Sequence, residues 1–309
     1  MEEKLLTVQD LCVSYGDGDV LSGVTFSMCA GEILCIAGES GCGKSTLLKA
    51  ILGIKPLGAV VTGGRITFAG RELHAPVPRR LLGAEIGMIF QNPGASFNPV
   101  RSYEKQFRET LRSHGRAYDA QAVLDCLETL RLPDGARILK SCPYEMSGGM
   151  NQRIAIALAM LLRPRLLLCD EATGALDVTT QKAVVEELLR LRGECGTAIL
   201  FVTHNLGVAA RMADTVGVMY AGRMVESGDA AAVLQSPAHP YTQSLIAAVP
   251  DFGGALPKGL PGQPPLHGAE TPGCAFAPRC PHAQPGCGKK AYTMRQIGAR
   301  HFACCTGRA

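Results

Sequence analysis

Residues 38–46 read GESGCGKST, and no stretch of the chain carries more specific chemistry. The spacing G-x-x-x-x-G-K-S follows the strand-like run EILCIA and precedes the helix-spaced KSTLLKAILGI, the setting in which such a loop wraps phosphate oxygens with backbone N–H groups. Glycine at Gly38, Gly41 and Gly43 lets the backbone approach closely and adopt positive φ. Glu39, Ser40 and Cys42 complete the loop. Lys44 neutralises the outer phosphates, and Ser45, followed by Thr46, offers a hydroxyl to magnesium. The chemistry implied is the binding of a nucleoside triphosphate with its metal.

A second concentration lies at LLLCDEATGALD (166–177). An apolar strand there delivers Asp170 and Glu171 to its carboxyl end, the place where open α/β sheets bind ligands. Two adjacent carboxylates can divide the work, Asp170 holding the magnesium and Glu171 polarising the attacking water as general base. Gln91 after IGMIF and His204 after TAILFVT also stand at the ends of apolar runs. Because the carboxyl ends of adjacent parallel strands converge on one crevice, Gln91 is expected to sense metal or water and His204 to hydrogen-bond the terminal phosphate. A third stretch, EMSGGMNQR (145–153), has a serine and two glycines at the head of an apolar run, with hydroxyl and N–H groups at a helix start but no group that catalyses alone.

The elements that position these residues follow from the hydrophobic period. Up to about residue 37, short β-type runs (LLTVQDLCVSY, LSGVTFSM, EILCIAG) are punctuated by Gly and Asp and predict a small sheet entering a central strand. GGRITFAGREL predicts a hairpin leading to the strand IGMIF, and residues 92 to about 162 are mostly helical in pattern, with YDAQAVLDCLETLRL amphipathic. From 166 the strands RLLLCD and TAILFVTH alternate with the helices QKAVVEELLRLRGE and LGVAARMAD, and TVGVMYAGRMVE closes as a hairpin. That alternation predicts a mainly parallel sheet covered on both faces. After about residue 250, Pro and Gly dominate, which predicts a linker.

At 309 residues the chain has room for one large α/β domain and an appendage, and its 47% hydrophobic content excludes a disordered protein. A formal charge of +4 is too small and too scattered to argue for nucleic acid. The acidic start MEEKLLTVQD lacks the basic head and apolar core of a secretory signal. Apolar stretches such as IAIALAMLL fall short of the roughly 20 residues a membrane span needs, so a soluble or peripheral chain is expected. Of thirteen cysteines, eight are scattered in segments such as EILCIAGE and LLLCDE, where free cysteine behaves as a small buried hydrophobe and fits a reducing cytoplasm.

Taken together, these motifs resemble the ATP-binding subunits of ABC transporters across nearly the whole chain. The resemblance implies a P-loop ABC-type ATPase of α/β class with a mainly parallel core sheet, a small antiparallel β subdomain, a helical subdomain at about 92–162 that grips the transporter, and a Cys-rich C-terminal extension. The ATP-binding domain is expected at 1–250 and the linker with the extension at 251–309. EMSGGMNQR corresponds to the family's signature motif, so Ser147, Gly148 and Gly149 would act on the nucleotide held by the opposite subunit. Tyr15 would stack on adenine, and Asp177 would belong to a loop crossing the dimer interface. Two such subunits would clamp and hydrolyse two ATP molecules, driving membrane subunits between inward and outward access. The implied partners are a second ATPase subunit, usually a different chain in this branch, two permease subunits and an extracytoplasmic substrate-binding protein, with the chain peripheral on the cytoplasmic face of the inner membrane.

QNPGASFNP, SPAHPYTQSL (236–245) and GCAFAPRCPHAQPGC (273–287) resemble the oligopeptide, dipeptide and nickel importer branch, with the cargo open between peptides and nickel. The tail carries Cys274, Cys280 and Cys287, then Cys304 and Cys305. Zinc sites usually show a tighter C-x2–4-C pair, and disulfides do not fit a cytoplasmic chain. Four thiolates could hold an iron-sulfur cluster. Some members of the branch carry a four-iron four-sulfur cluster on matching cysteines, which places the cluster ahead of zinc or inert thiols and Cys305 ahead of Cys304 as fourth ligand. Met146 and Met150 replace the Leu and Gln commonest in the signature, Ala172 stands where the branch usually has proline, and Asn205 where aspartate commonly follows the histidine. None removes a catalytic group. A soluble ABC-type ATPase acting on nucleic acid or ribosomes is a competing reading, but such chains usually carry two nucleotide cores or a long coiled coil, and this sequence has neither. An exporter subunit is a third reading, weakened by the absence of a fused membrane domain.

Overall fold

The first strand shows how the sequence sets the backbone. β1 (Lys4–Tyr15) buries Leu6 and Val8, then Leu11 and Val13. The step of three between Val8 and Leu11 breaks the period of two, and there Asp10 takes φ 47° and the pairing register shifts, a β-bulge that keeps both apolar pairs in the core. β2 (Gly18–Cys29) runs antiparallel to β1, β3 (Ile33–Ala37) is buried at all five residues, and α1 (Lys44–Ile51) follows the glycine-rich loop. β4 (Ala59–Phe68) pairs with the other side of β1 and turns into β5 (Arg71–Glu72), giving an antiparallel sheet in the order β2-β1-β4-β5.

The computed structural model describes residues 3–16, 18–54, 58–174, 176–249, 260, 262–265, 272–289 and 293–305. They form two compact units, one of residues 1–29, 33–76 and 202–309, the other of residues 30–32 and 77–201.

The second unit begins with β6 (Ile86–Ile89) and a 3-10 turn at Pro93–Ser96. Its helices are α2 (Tyr103–Ser113), α3 (Ala120–Thr129), α4 (Gly135–Lys140) and α5 (Gly148–Leu162). Tyr103, Phe107 and Leu111 recur every four residues and form the buried stripe of α2. Asp119 starts α3 by accepting from the N–H groups of Gln121 and Ala122. β7 (Leu166–Asp170) is parallel to β6, with Ile89 opposite Cys169. α6 (Val178–Cys195) ends at Gly196 with φ 66°, and β8 (Ala198–Thr203) stands next to β7 in the order β8-β7-β6. Both β7 and β8 are buried at every residue, which is why they read as continuous apolar runs. Each leucine buried there contributes about 2 kcal/mol.

Back in the first unit, α7 (Leu206–Met212) leads to β9 (Thr215–Tyr220), which is parallel to β3, with Ala37 opposite Val218. β10 (Arg223–Asp229) returns antiparallel to β9, followed by α8 (Ala230–Gln235) and α9 (Pro240–Ala247). In the C-terminal extension, a 3-10 turn at Ala277–Arg279 precedes β11 (Arg295–Gly298) and β12 (His301–Ala303). β12 adds antiparallel to β10, with His301 opposite Gly228, and β11 adds to β12. In this unit the sheet is therefore mixed, parallel between β3 and β9 and antiparallel from β9 through β10 to the strands of the extension. The expected linker, ALPKGLPGQPPLHGAETPG, falls largely outside the described residues. Among the described residues no helix is long and apolar enough to cross a membrane.

Candidate ATP-binding site

The phosphate loop leaves buried β3 and enters α1 through Gly43, which takes φ 104°. A side chain at Gly38 would place a Cβ 2.3 Å from the carbonyl oxygen of Met219, and one at Gly43 would lie 2.7 Å from Cδ2 of Leu21, so glycine is required by space at both positions and by conformation at Gly43. Lys44 is 5% exposed, and its Nζ donates to the carbonyl oxygens of Gly38 and Glu39, each at 2.8 Å. The loop is thus curled around its own lysine. Burial pushes the Cys42 thiol up against the opposing effect of Lys44, whose Nζ also donates to its sulfur at 3.6 Å. Gly222, in the β9–β10 turn, donates its N–H to the carbonyl of Cys42 at 3.0 Å and holds the loop from outside. A glycine cradle ending on a helix start beside a buried lysine fits a magnesium nucleotide. Tyr15 lies at the end of β1, paired with Gly18 and Ala59, and is half-buried. Exposed His204 follows β8 directly, and Asn205 caps α7 by accepting from the Gly207 N–H at 2.9 Å, the local task an aspartate there would share.

In the second unit Gln91 and Glu171 meet, as their common place at strand ends suggested. Nε2 of Gln91 donates to Oε2 of Glu171 at 3.0 Å. Asp170, the last residue of β7, is 3% exposed. Glu171 adopts φ 48°, a left-handed conformation that few non-glycine residues take and that turns the chain sharply off the strand. Its carbonyl accepts from the Gly174 N–H at 3.0 Å. The carbonyl of buried Ala172 accepts a hydrogen bond from Nε2 of Gln152, a contact with no signal in the sequence.

The signature stretch forms the start of α5. Ser147 is the cap, accepting from the Met150 N–H at 3.3 Å, and Ser147 and Gly148 are exposed. Behind them Asn151 is a brace that sequence reasoning missed. Its Nδ2 donates to the carbonyls of Pro143 at 3.1 Å and of Met146 and Ser147, each at 3.2 Å, and its Oδ1 accepts from the Tyr103 hydroxyl. Asp177 caps α6, accepting from the N–H of Thr180 at 3.0 Å and its hydroxyl at 2.7 Å, and these bonds hold its carboxyl below the usual range.

Comparison with known proteins decides what this arrangement belongs to. Residues 21–174 match the family model described as ABC transporter, and residues 225–287 match that of the oligopeptide/dipeptide transporter C-terminal region. The chain is 42% identical to a probable peptide ABC transporter ATP-binding protein, y4tR, of Sinorhizobium fredii, covering 97% of this chain and 94% of that one. It is 43% identical to the oligopeptide transport ATP-binding protein OppD of Salmonella typhimurium, covering 92% and 88%. This chain belongs to the family of ABC transporter ATP-binding subunits. A solved ATP-binding subunit of an ABC transporter superposes with a TM-score of 0.64 at 29% identity, over 75% of this chain and 92% of that one. A second solved cassette, in a dimeric post-hydrolysis state bound to ADP and phosphate, matches in fold with a TM-score of 0.64.

The subunit is thus an ABC ATPase whose hydrolysis is coupled to transport. Its cysteine tail belongs to the first unit. The thiol of Cys274 feels Cys305 and Cys280, and that of Cys280 feels Cys305 and Cys287, so Cys274, Cys280, Cys287 and Cys305 gather in one region. Burial raises both thiols first. N–H groups of His282 and Gln284 donate to the sulfurs of Cys280 and Cys287 at 3.4 and 3.3 Å. Among the described residues, however, no three His, Cys, Asp or Glu side chains are placed to hold a metal ion. Two residues that sequence reasoning did not single out, Tyr241 of SPAHPYTQSL and Arg279 of the tail, both contact Glu39.

Proposed function

We propose that this subunit powers an importer of di- or oligopeptides from the cytoplasmic face of the cell membrane. The match of residues 225–287 to the oligopeptide/dipeptide transporter C-terminal region carries the choice of cargo over nickel, supported by relatives named for dipeptide and oligopeptide transport. Its partners in this reading are a second ATPase subunit, two permease subunits and an external binding protein. Residues 1–250 form the motor, with the transporter-gripping helical subdomain at about 92–162, and 251–309 an appendage.

In the motor, the loop amides and Lys44 bind the phosphates, and Tyr15 stacks on the base. Ser45 and Asp170 would hold magnesium, which supplies charge neutralisation at the phosphates. Glu171, with one carboxylate oxygen held by Gln91, takes the proton of the attacking water, and His204 donates to the terminal phosphate. Ser147, Gly148 and Gly149 serve the nucleotide of the partner ATPase, and Asp177 lies at that interface. Uptake of a labelled dipeptide and of nickel, measured side by side in cells carrying Glu171→Gln, tests the reading. Loss of dipeptide uptake alone supports it, and loss of nickel uptake alone replaces the cargo.

The tail thiols form the second part of the proposal. Four cysteines that lie in one region of the tail, two of them taking amide N–H bonds at sulfur, would hold a four-iron four-sulfur cluster in this reading, as the resemblance to the importer branch implies. Iron and sulfide in anaerobically purified protein support this assignment, and stoichiometric zinc without iron sinks it.

A further inference from the structure

Glu39, the second residue of the phosphate loop, is gripped at three points. Its carbonyl accepts from Lys44, its N–H donates to the Tyr241 hydroxyl at 2.9 Å, and its carboxylate receives both arms of the Arg279 guanidinium, at 2.7 and 3.0 Å. Arg279 is 7% exposed, which is rare for an arginine and marks a fixed geometry. It also donates to the Tyr220 hydroxyl at 3.2 Å. Tyr220, Tyr241 and Phe276 surround it as a cluster with ring centroids 4.6 to 5.4 Å apart. The turn that carries Arg279 comes from the C-terminal extension, between Cys274 and Cys280, 240 positions away from Glu39 in sequence.

A carboxylate in a loop that binds a polyanion is a liability. Left unpaired, Glu39 would repel the phosphates, and its backbone would be free to leave the conformation that aims the neighbouring amides. A forked arginine corrects both faults, because it cancels the charge and fixes the plane of the carboxylate. A mere staple for the tail would need neither a bidentate pair nor a residue inside the phosphate loop.

We propose that Arg279 is a positioning residue for nucleotide binding, holding Glu39 neutralised and in place so that the phosphate loop is preorganised for ATP. The inference rests on the ATPase reading of the loop and adds to it a residue from the extension.

The test is the affinity of the full-length chain for ATP, measured by calorimetry well below the melting temperature. Arg279→Gln is expected to weaken binding about tenfold, the scale of a lost charged hydrogen-bond pair. Adding Glu39→Gln to that variant is expected to recover most of the loss, because the uncompensated charge is gone. Affinity within about twofold of wild type in Arg279→Gln, whatever happens to its melting temperature, overturns the proposal. So does a loss that the second substitution leaves untouched. If Arg279→Gln fails to fold, the wild-type chain gives the reciprocal readout. A residue that helps ATP bind must itself be held more tightly by ATP, so amide exchange at residues 276–280 is expected to slow on adding ATP. Unchanged exchange with ATP bound overturns the proposal equally. A wild-type chain that binds no ATP would instead remove the ATPase reading itself.

Discussion

His239 should make this protein sensitive to mild acid. The residue is 1% exposed, precedes α9, and accepts at Nδ1 from the Tyr241 N–H at 3.0 Å, which requires that nitrogen to be unprotonated. Its Nε2 is buried without a hydrogen-bond partner, and its ring lies 6.0 Å from that of Phe276. Burial lowers its pKa from 6.5 to about 4, with the nearby Glu226 carboxylate opposing the shift. The folded state therefore keeps His239 neutral where the unfolded chain protonates it. Its contribution to stability is complete above the unfolded value and is lost as pH falls from there toward the folded one. Between about pH 7 and about pH 5 the difference amounts to about 2 kcal/mol. The perturbation is His239→Asn, which keeps an acceptor for the Tyr241 N–H and removes the titration. Urea denaturation of wild type and variant at the two pH values measures the effect. The variant is expected to be less stable at neutral pH, having lost a packed ring, but to lose about 2 kcal/mol less on acidification. An equal loss in both proteins would refute the assignment.

Two further outcomes follow from buried polar groups. Asn151→Ala strands the Tyr103 hydroxyl and the Pro143 carbonyl, so unfolding should become easier by about 3 kcal/mol, a change that thermal or urea denaturation reads directly. A loss below about 1 kcal/mol would mean that the brace behind the signature is dispensable. Glu226 is fully buried and accepts from the N–H groups of Ala238 and His239 at 2.7 and 2.9 Å, with His301 Nε2 at 2.7 Å. Glu226→Gln presents an NH2 group to donors, so a destabilisation of about 2 kcal/mol or more is expected, with faster proteolysis around residues 301–303. Unaltered proteolysis there would show that the Glu226–His301 contact does not anchor β12.

The elements legible in the sequence were those whose signal is local. The loop GESGCGKST, the buried runs of β7 and β8 and the amphipathic helix in YDAQAVLDCLETLRL each depend on residues within a few turns or one strand, and each stands where the pattern placed it. The pairing of Gln91 with Glu171 was legible at one remove, through the rule that strand ends converge. What could not be read depends on residues distant in the chain. APRC gives no hint that its arginine reaches residue 39, and HFA is too short to declare itself a strand. NQR in the signature shows no sign that Asn151 and Gln152 face buried carbonyls. Asp10 is a different case, since the step of three in VQDL does carry the bulge, but the same letters also suit a turn.

The pairing of β12 with β10 has a consequence for how the protein is made. β10 leaves the ribosome well before β12, because residues 230–300 lie between them in the chain. During that interval one side of β10 presents unpaired N–H and C=O groups, and Glu226 lacks His301. A nascent chain in that state offers a template for other strands, and long-range pairing of this kind is slow to complete. The subunit is therefore most vulnerable to aggregation late in synthesis, and substitutions around residues 301–303 should lower the yield of folded protein before they alter any step of ATP turnover.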